Sequence, residues 1–350
     1  MKKSFTIIMA AALCLLAVSC KSSGNYLPNI SGKAGEIEVV CTKGNWESDP
    51  GIALRSSLGG DFPYLPQSEP YYVLYNVPSD SFTGIFQIHR NIIFISVDSN
   101  LKNTKIEFKR NVWATPQAVV YITAPNSDEL TKSIILNREK MTNFFDQAER
   151  LRLIGNNKKY EAPEIRTKVA SVFGGSPYFP DEYSIKKQTE NFMWISYETT
   201  YTNQGILIYR EPYIDSAWAQ PPVILKQMNE VLKDEVPGMR EGSYMTISKL
   251  TPGYEWVKLG DKSFAEIRGL WEVENDYMGG PFVSHTFLDK DNQYVITMLA
   301  FVYAPKYDKR NYLRQVESII YSFDWTADFP ENHIKDASVE ANSDRHPKKK

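Results

Sequence analysis

Glu272 and Glu274 stand two positions apart in the stretch from Arg268 to His285, RGLWEVENDYMGGPFVSH. On a strand this spacing puts both carboxylates on one face, with Trp271 and Val273 on the other. Two carboxylates so placed could serve as general acid and base, and His285 follows just past the Gly279-Gly280-Pro281 turn. The plainer reading is a half-buried strand with a wetted acidic face and a turn that uses the freedom of glycine. Ser284 and His285 are strand neighbours that point to opposite faces, so nothing here fixes a nucleophile against its base. Trp271, Glu272, Glu274, Asn275, Met278, Gly279, Gly280, Pro281 and His285 are therefore taken as a candidate binding surface, with no catalytic residue assigned. The alternative is a hydrolase that acts on an envelope polymer through Glu272, Glu274 or His285.

Other chemistry finds little support. The chain has 4 histidines; His333 and His346 fall in a polar end segment, and His89 and His285 lack the spacing of metal ligands. Asp289, Asp291 and Asn292 lack the central glycine and terminal glutamate of a calcium loop, and compose a hairpin turn instead. No metal or cofactor is expected. Gly59-Gly60 and Gly174-Gly175 run into prolines rather than into Lys-Ser/Thr and a helix, so they read as turns and not as phosphate cradles. Trp46, Trp113, Trp194, Trp218 and Trp256 could line a ligand groove, with core packing as the default. A formal charge of −2 gives nucleic acid no purchase.

The N-terminus carries a clearer signal. Lys2 and Lys3 precede an apolar run from Phe5 to Val18, and Leu16-Ala17-Val18-Ser19-Cys20 has the form of a bacterial lipobox, with its leucine one position farther out than usual. The run is too short for a permanent span, which needs about 20 residues. Residues 1–19 thus read as a lipoprotein signal peptide and 20–34 as a lipidated tether. A diacylglycerol on the Cys20 thiol and an acyl chain on its amine would hold the protein to a membrane. Cys14 leaves with the leader, so Cys41 remains as a single thiol, buried as a small apolar residue, and no intramolecular disulfide can form. The expected location is the cell envelope, at the outer membrane facing the periplasm.

The chain, 350 residues with 13% aromatics, is long enough for two domains. Strands are expected at Ile37–Val40, Tyr71–Val77, Ile92–Val97 and Ala118–Thr123, with Phe82–Ile88 a weaker candidate. Ser48–Leu58 reads as a short helix, and Asn126 with Glu129 opens a long one to Leu153, burying Leu130, Ile134, Met141, Phe145 and Ala148. Gly155–Lys159 reads as a polar loop. Beyond it come strands at Phe192–Glu198, Gly205–Arg210, Tyr244–Lys249, Phe264–Glu274, Phe282–Leu288 and Tyr294–Tyr303, and helices at Val223–Val236 and Asp308–Phe323. Tyr121-Ile-Thr-Ala-Pro125 and Phe301-Val-Tyr-Ala-Pro305 each precede a helix, which suggests a diverged duplication. The expected fold is α+β in two domains, each a mainly antiparallel sheet with packed helices: 35–154, a linker 155–168, 169–325, and a disordered polar tail 326–350.

Cys20, Phe179-Pro-Asp-Glu-Tyr-Ser-Ile185, Gly269–Pro281, and Tyr303-Ala-Pro305 with Lys309-Arg-Asn-Tyr-Leu-Arg314 resemble lipoproteins of the Bacteroidetes defined by a domain of unknown function numbered 4837, over nearly the whole mature chain. The resemblance implies a Gram-negative envelope and brings no known activity, cofactor or catalytic residue. The second half also looks like PsbP-type domains in element order and in the helix closing on Ser322-Phe323, which by analogy implies binding. The expected role is a membrane-anchored, non-catalytic binding or assembly component whose partner is an envelope protein or glycan. A structural subunit of an envelope complex is a third reading, which predicts a broad apolar patch.

Overall fold

The computed structural model describes residues 26–326 and Phe329. The lipobox with Cys20, and the tail beyond Thr326 apart from Phe329, lie outside these residues. None of the described helices is long and apolar enough to cross a membrane.

The N-terminal domain begins as a strand–helix–strand unit: β1 (Glu36–Val40), α1 (Lys43–Glu47), α2 (Asp49–Leu58) and β2 (Val73–Val77). The Thr42 hydroxyl accepts from the Asn45 amide to open α1, and Pro50 sits in the first turn of α2, where its missing N–H is not needed. β3 (Asn91–Val97), β4 (Lys105–Arg110) and β5 (Ala118–Ala124) complete a five-stranded sheet in the order β2-β1-β3-β5-β4. β1 runs parallel to β2 and β3, and β3 parallel to β5; β4 alone is antiparallel, at an edge. The expectation of a mainly antiparallel first sheet is thus corrected. Helices inserted between β1 and β2 carry the chain back to its starting side, so the next strand enters in the same direction. Phe82–Ile88 forms turns rather than a strand, and its Phe82 and Phe86 pack with Phe94, Trp113 and Tyr121 over one face of the sheet.

The long helix expected after Asn126 is two. The Asn126 side chain accepts from the Glu129 amide, α3 (Ser127–Leu136) ends at Asn137, and α4 (Arg138–Lys159) continues in a new direction. Leu130, Ile134, Met141, Phe145 and Ala148 are all buried. Gly155–Lys159 is helical, contrary to the loop expected there; Lys158 and Lys159 suit the negative end of the helix dipole. After Tyr160–Ala162 the chain re-enters a helix, α5 (Pro163–Phe173).

The C-terminal domain comprises β6 (Gly175–Ser176), β7 (Ser184–Gln188), β8 (Phe192–Glu198), β9 (Asn203–Pro212), α6 (Pro221–Glu235), β10 (Tyr244–Ile247), β11 (Gly253–Leu259), β12 (Lys262–Glu274), β13 (Gly279–Leu288), β14 (Tyr294–Tyr303), α7 (Arg310–Tyr321) and β15 (Asp324–Trp325). Its main sheet runs β10-β12-β13-β14-β9-β8-β7, with β11 also on β12, and every pairing is antiparallel. α6 covers one face through Ile224, Met228 and Leu232; α5 and α7 cover the other. Each half ends in a strand, a proline and a helix, yet the sheets differ in strand order and direction. That difference removes the support for a duplication.

α7 joins the halves. Leu313, Val316, Ile319 and Ile320 enter the C-terminal core, which also takes Phe62 from the N-terminal domain. The helix has no side-chain cap of its own. Instead the buried Glu69 carboxylate, from the other domain, accepts from the Lys309 and Arg310 amides at 2.6 and 2.9 Å, where the positive end of the helix dipole favours an anion. Glu69→Ala should lower stability by about 2 kcal/mol in urea unfolding, with Glu69→Gln losing less.

On the aromatic face of the first sheet, Glu38 is buried and, among the described residues, accepts only from the Tyr75 hydroxyl, at 3.2 Å. Burial, with Glu36 adding to it against the Tyr75 hydrogen bond, pushes its carboxyl from 4.5 up to about 7. A carboxyl raised on folding supports the native state below its unfolded value and loses that support as pH rises through the folded one. Stability should therefore decline between pH 4.5 and about 7, and Glu38→Gln should flatten that decline and stabilise the protein above it, read from melting temperatures across the range.

Candidate functional site at the seam between the domains

The buried side of α7 carries two stripes. One is the apolar row already described; the other is Arg310, Arg314, Glu317 and Tyr321, at helical spacing and all buried. α4 of the N-terminal domain answers with a row of its own. Arg314 donates to Asp146 at 3.1 Å, Arg150 donates to Glu317 at 3.1 Å, and the Asn157 amide donates to the Ser318 hydroxyl at 3.1 Å. Tyr71 and Tyr72 also donate to Asp146, at 2.5 and 2.6 Å.

β12 forms the third wall. Its alternation puts Ile267 and Trp271 toward α6 and turns Glu266 and Arg268 toward α7. Arg268 donates to Glu317 at 2.5 Å and to Glu266 at 2.6 Å. The other Glu266 oxygen accepts from the Tyr321 hydroxyl at 2.7 Å and lies 3.1 Å from His285 Nε2. Arg150 lies over the Tyr321 ring, 3.6 Å from its centroid, and Phe264 stacks on His285 with centroids 4.0 Å apart. A continuous polar chain therefore runs from α4 through α7 to β12 and β13. Beside it a cavity of about 270 Å³ opens between the domains, bounded by Phe62, Tyr71, Asp146, Arg150, Glu255 and Arg268 among others.

Burial alone would raise both central carboxyls. Arg268, with help from His285 and Tyr321, instead holds Glu266 far below the usual carboxylate range, and Arg268 and Arg150 hold Glu317 below it. Burial likewise works against the Arg268 cation, which Glu317 and Glu266 more than restore. Burial lowers His285 from 6.5 by more than Glu266 returns, so at neutral pH the ring is uncharged and donates from Nε2. The site is an array of paired charges.

The residues singled out in the sequence are divided by this geometry. His285 is in the array, opposite Glu266 in the strand register. Glu272 pairs with Gly279, six residues farther along β12, or about 20 Å at strand rise. Glu272 is half-buried and Glu274 exposed, so the two carboxylates do not converge with His285. Trp271 is 4% exposed and donates to the Val302 carbonyl, within the α6 core. Pro281 and Gly280 are buried too, and a Cβ at Gly280 would run into that same carbonyl. Asn275, at φ 66, and half-buried Met278 shape the turn that returns to Gly279. Burial thus removes Trp271, Gly280, Pro281 and His285 from any surface on that turn, leaving Glu272, Glu274, Asn275, Met278 and Gly279 at it.

Glu266, Arg268, Arg150, Glu317 and Tyr321 were missed. Their one signal in the sequence is the second row on α7, Arg310-Arg314-Glu317-Tyr321, alongside the apolar one. Cys41 is a buried free thiol, and burial pushes it up to about 11 despite Arg55 and Asn76, so it is not a nucleophile at neutral pH. Among the described residues no group of three or more His, Cys, Asp or Glu side chains could hold a metal ion.

Removing one member of a buried ion pair strands the other. Glu317→Ala leaves Arg150 without its carboxylate and Arg268 with Glu266 alone, and should cost about 3–5 kcal/mol, with Arg150→Ala milder because that side chain is less buried. Both carboxyls are depressed on folding, so their support is present above 4.5 and is lost as pH falls below it. Acid titration of the wild type, followed by tryptophan fluorescence, should show a loss of structure that Glu317→Ala has already suffered in part at neutral pH.

No curated protein matches the chain. Residues 30–158 match the model of a domain of unknown function, DUF8532. The likeness to family 4837 does not extend over the whole mature chain, because a different family model covers the first half. Residues 162–322 match the model of another domain of unknown function, DUF4837.

Proposed function

We propose that this is a lipid-anchored component of a bacterial envelope that binds a ligand or partner without transforming it, with the seam between the domains as its functional centre. The observation that carries this reading is the pairing of the seam's two central carboxylates with arginine. Glu266 and Glu317 each accept from arginine, and both are held ionised. A general acid needs a proton near neutral pH, and a base or nucleophile needs an oxygen free to act. Glu266 offers neither, since both its oxygens accept hydrogen bonds and it is held ionised; Glu317, also held ionised, takes both of its arginines on one oxygen. His285 is bound to Glu266, and among the described residues no hydroxyl or thiol hydrogen-bonds to it. A hydrolase working through Glu272, Glu274 or His285 is further disfavoured by their separation along β12.

The anchor rests on Lys2, Lys3, the apolar run and Leu16–Cys20. With the likeness to Bacteroidetes lipoproteins, it supports placement at the outer membrane on the periplasmic side, facing an envelope protein or glycan. Two measurements test this together. Cys20→Ala should move the chain from the membrane to the soluble fraction and abolish labelling by a fatty-acid probe; unchanged lipid content would sink the anchor. Wild-type protein incubated with peptidoglycan and envelope polysaccharide should release no reducing ends above blank. Release that disappears in Glu266→Gln would instead establish the enzyme.

A further inference from the structure

A second pocket lies on the other side of His285, away from the seam. The β12–β13 ladder ends at Ala265 and Thr286. Beyond that point Phe264 stays with β11, opposite Val257, and Phe287 stays with β14, opposite Ile296. The two hairpins diverge and leave a pocket of about 350 Å³, with His285 and Tyr321 at its lining. The sheet therefore opens where its own register stops.

The walls are aromatic: Trp218, Trp256, Phe264, Phe287 and Trp325 all line the space. Trp218 and Trp256 lie with ring centroids 6.0 Å apart, and Trp256 is 47% exposed. A large aromatic ring left this open beside a pocket offers a flat apolar surface to a ligand. Around it stand a carboxylate, a hydroxyl and an amide, those of Asp261, Ser263 and Asn292. All three are exposed, and none of these side chains makes a hydrogen bond among the described residues.

Charge narrows the choice. Lys262 is held by Asp324 at 2.8 Å, Lys290 lies against the Trp325 ring at 5.6 Å, and Asp289 accepts from the Gln293 and Tyr294 amides. Counted with Asp261, these are three acids against two bases, which leaves no excess of positive charge for a phosphate or a carboxylate. A planar aromatic ligand would use the walls and leave the three polar groups idle. A sugar ring uses both, laying its C–H face on the rings and offering its hydroxyls to Asp261, Ser263 and Asn292. We propose that this pocket binds a neutral saccharide. The proposal rests on the reading of the protein as a binding component and names the chemical class of its ligand.

The test is calorimetric titration of the full chain, purified in detergent, with neutral oligosaccharides of glucose, xylose and N-acetylglucosamine, with polygalacturonate as the acidic comparison and indole as the aromatic one. At least one neutral oligosaccharide should bind saturably. Trp256→Ala, at an exposed position, should keep the wild-type melting temperature and weaken that binding about tenfold, and Asp261→Asn should weaken it less. Absence of saturation by every neutral sugar, tighter binding of polygalacturonate, Trp256-dependent binding of indole alone, or affinity unchanged in both Trp256→Ala and Phe287→Ala would each overturn the proposal. Release of reducing ends from the bound sugar would uphold the pocket while overturning the non-catalytic reading, so the two can fail separately.

Discussion

The Glu317 carboxylate is the contact on which the arrangement of the two domains turns. It sits on a helix that belongs to the C-terminal core, and it is neutralised by Arg150 from the N-terminal domain and Arg268 from the C-terminal sheet. A buried anion is tolerable only with such partners in place. The relative position of α4, α7 and β12 is therefore constrained by a demand that each makes on the others. Glu69 adds a second tie of the same kind, since the first turn of α7 relies on a carboxylate supplied by the other domain.

That economy also shapes what the seam can do. A group engaged in structural pairing is held in one charge state, and proton transfer needs a group that can change its own. Glu266, Arg268 and Glu317 keep their charges fixed, which suits an interface or a rigid recognition surface. The neighbouring aromatic pocket contrasts with it: its Asp261, Ser263 and Asn292 are exposed and make no side-chain hydrogen bond among the described residues, and its Trp256 is open to solvent. His285, Phe264 and Tyr321 form a shared wall between the two, stacked and hydrogen-bonded to Glu266. Whatever fills one side rests on side chains that also hold the other.

Much of the fold is legible in local pattern. The apolar rows Leu130-Ile134-Met141-Phe145 and Leu313-Val316-Ile319-Ile320 are buried as helical periodicity requires, and β8, β9, β10, β12, β13 and β14 fall where apolar runs and turn residues put them, whereas the polar edge strands β7 and β11 escape that pattern. The strand directions of the first half were also open to inference. A helix between Ile37–Val40 and Tyr71–Val77 is a crossover, and a crossover implies parallel pairing. What misled was the shared strand–proline–helix ending of the two halves, which is a local resemblance and says nothing about strand order.

The sequence alone determined the existence and type of most elements and the two-domain α+β class, because each depends on residues close together in the chain. Glu272, Glu274 and His285 looked like one constellation for the same reason. Only the tertiary structure decided that His285 belongs with Glu266, and that Glu317 belongs with Arg150 and Arg268. Those groups are separated by as many as 167 residues and share no local pattern. Strand register brought the first pair together, and the crossing of α4 and α7 the second. Register and helix crossing are settled by how apolar faces pack, which reads only the buried side of each element. A charged side chain becomes a site when that packing leaves it facing its partner, and its own neighbours in the sequence carry no record of the outcome.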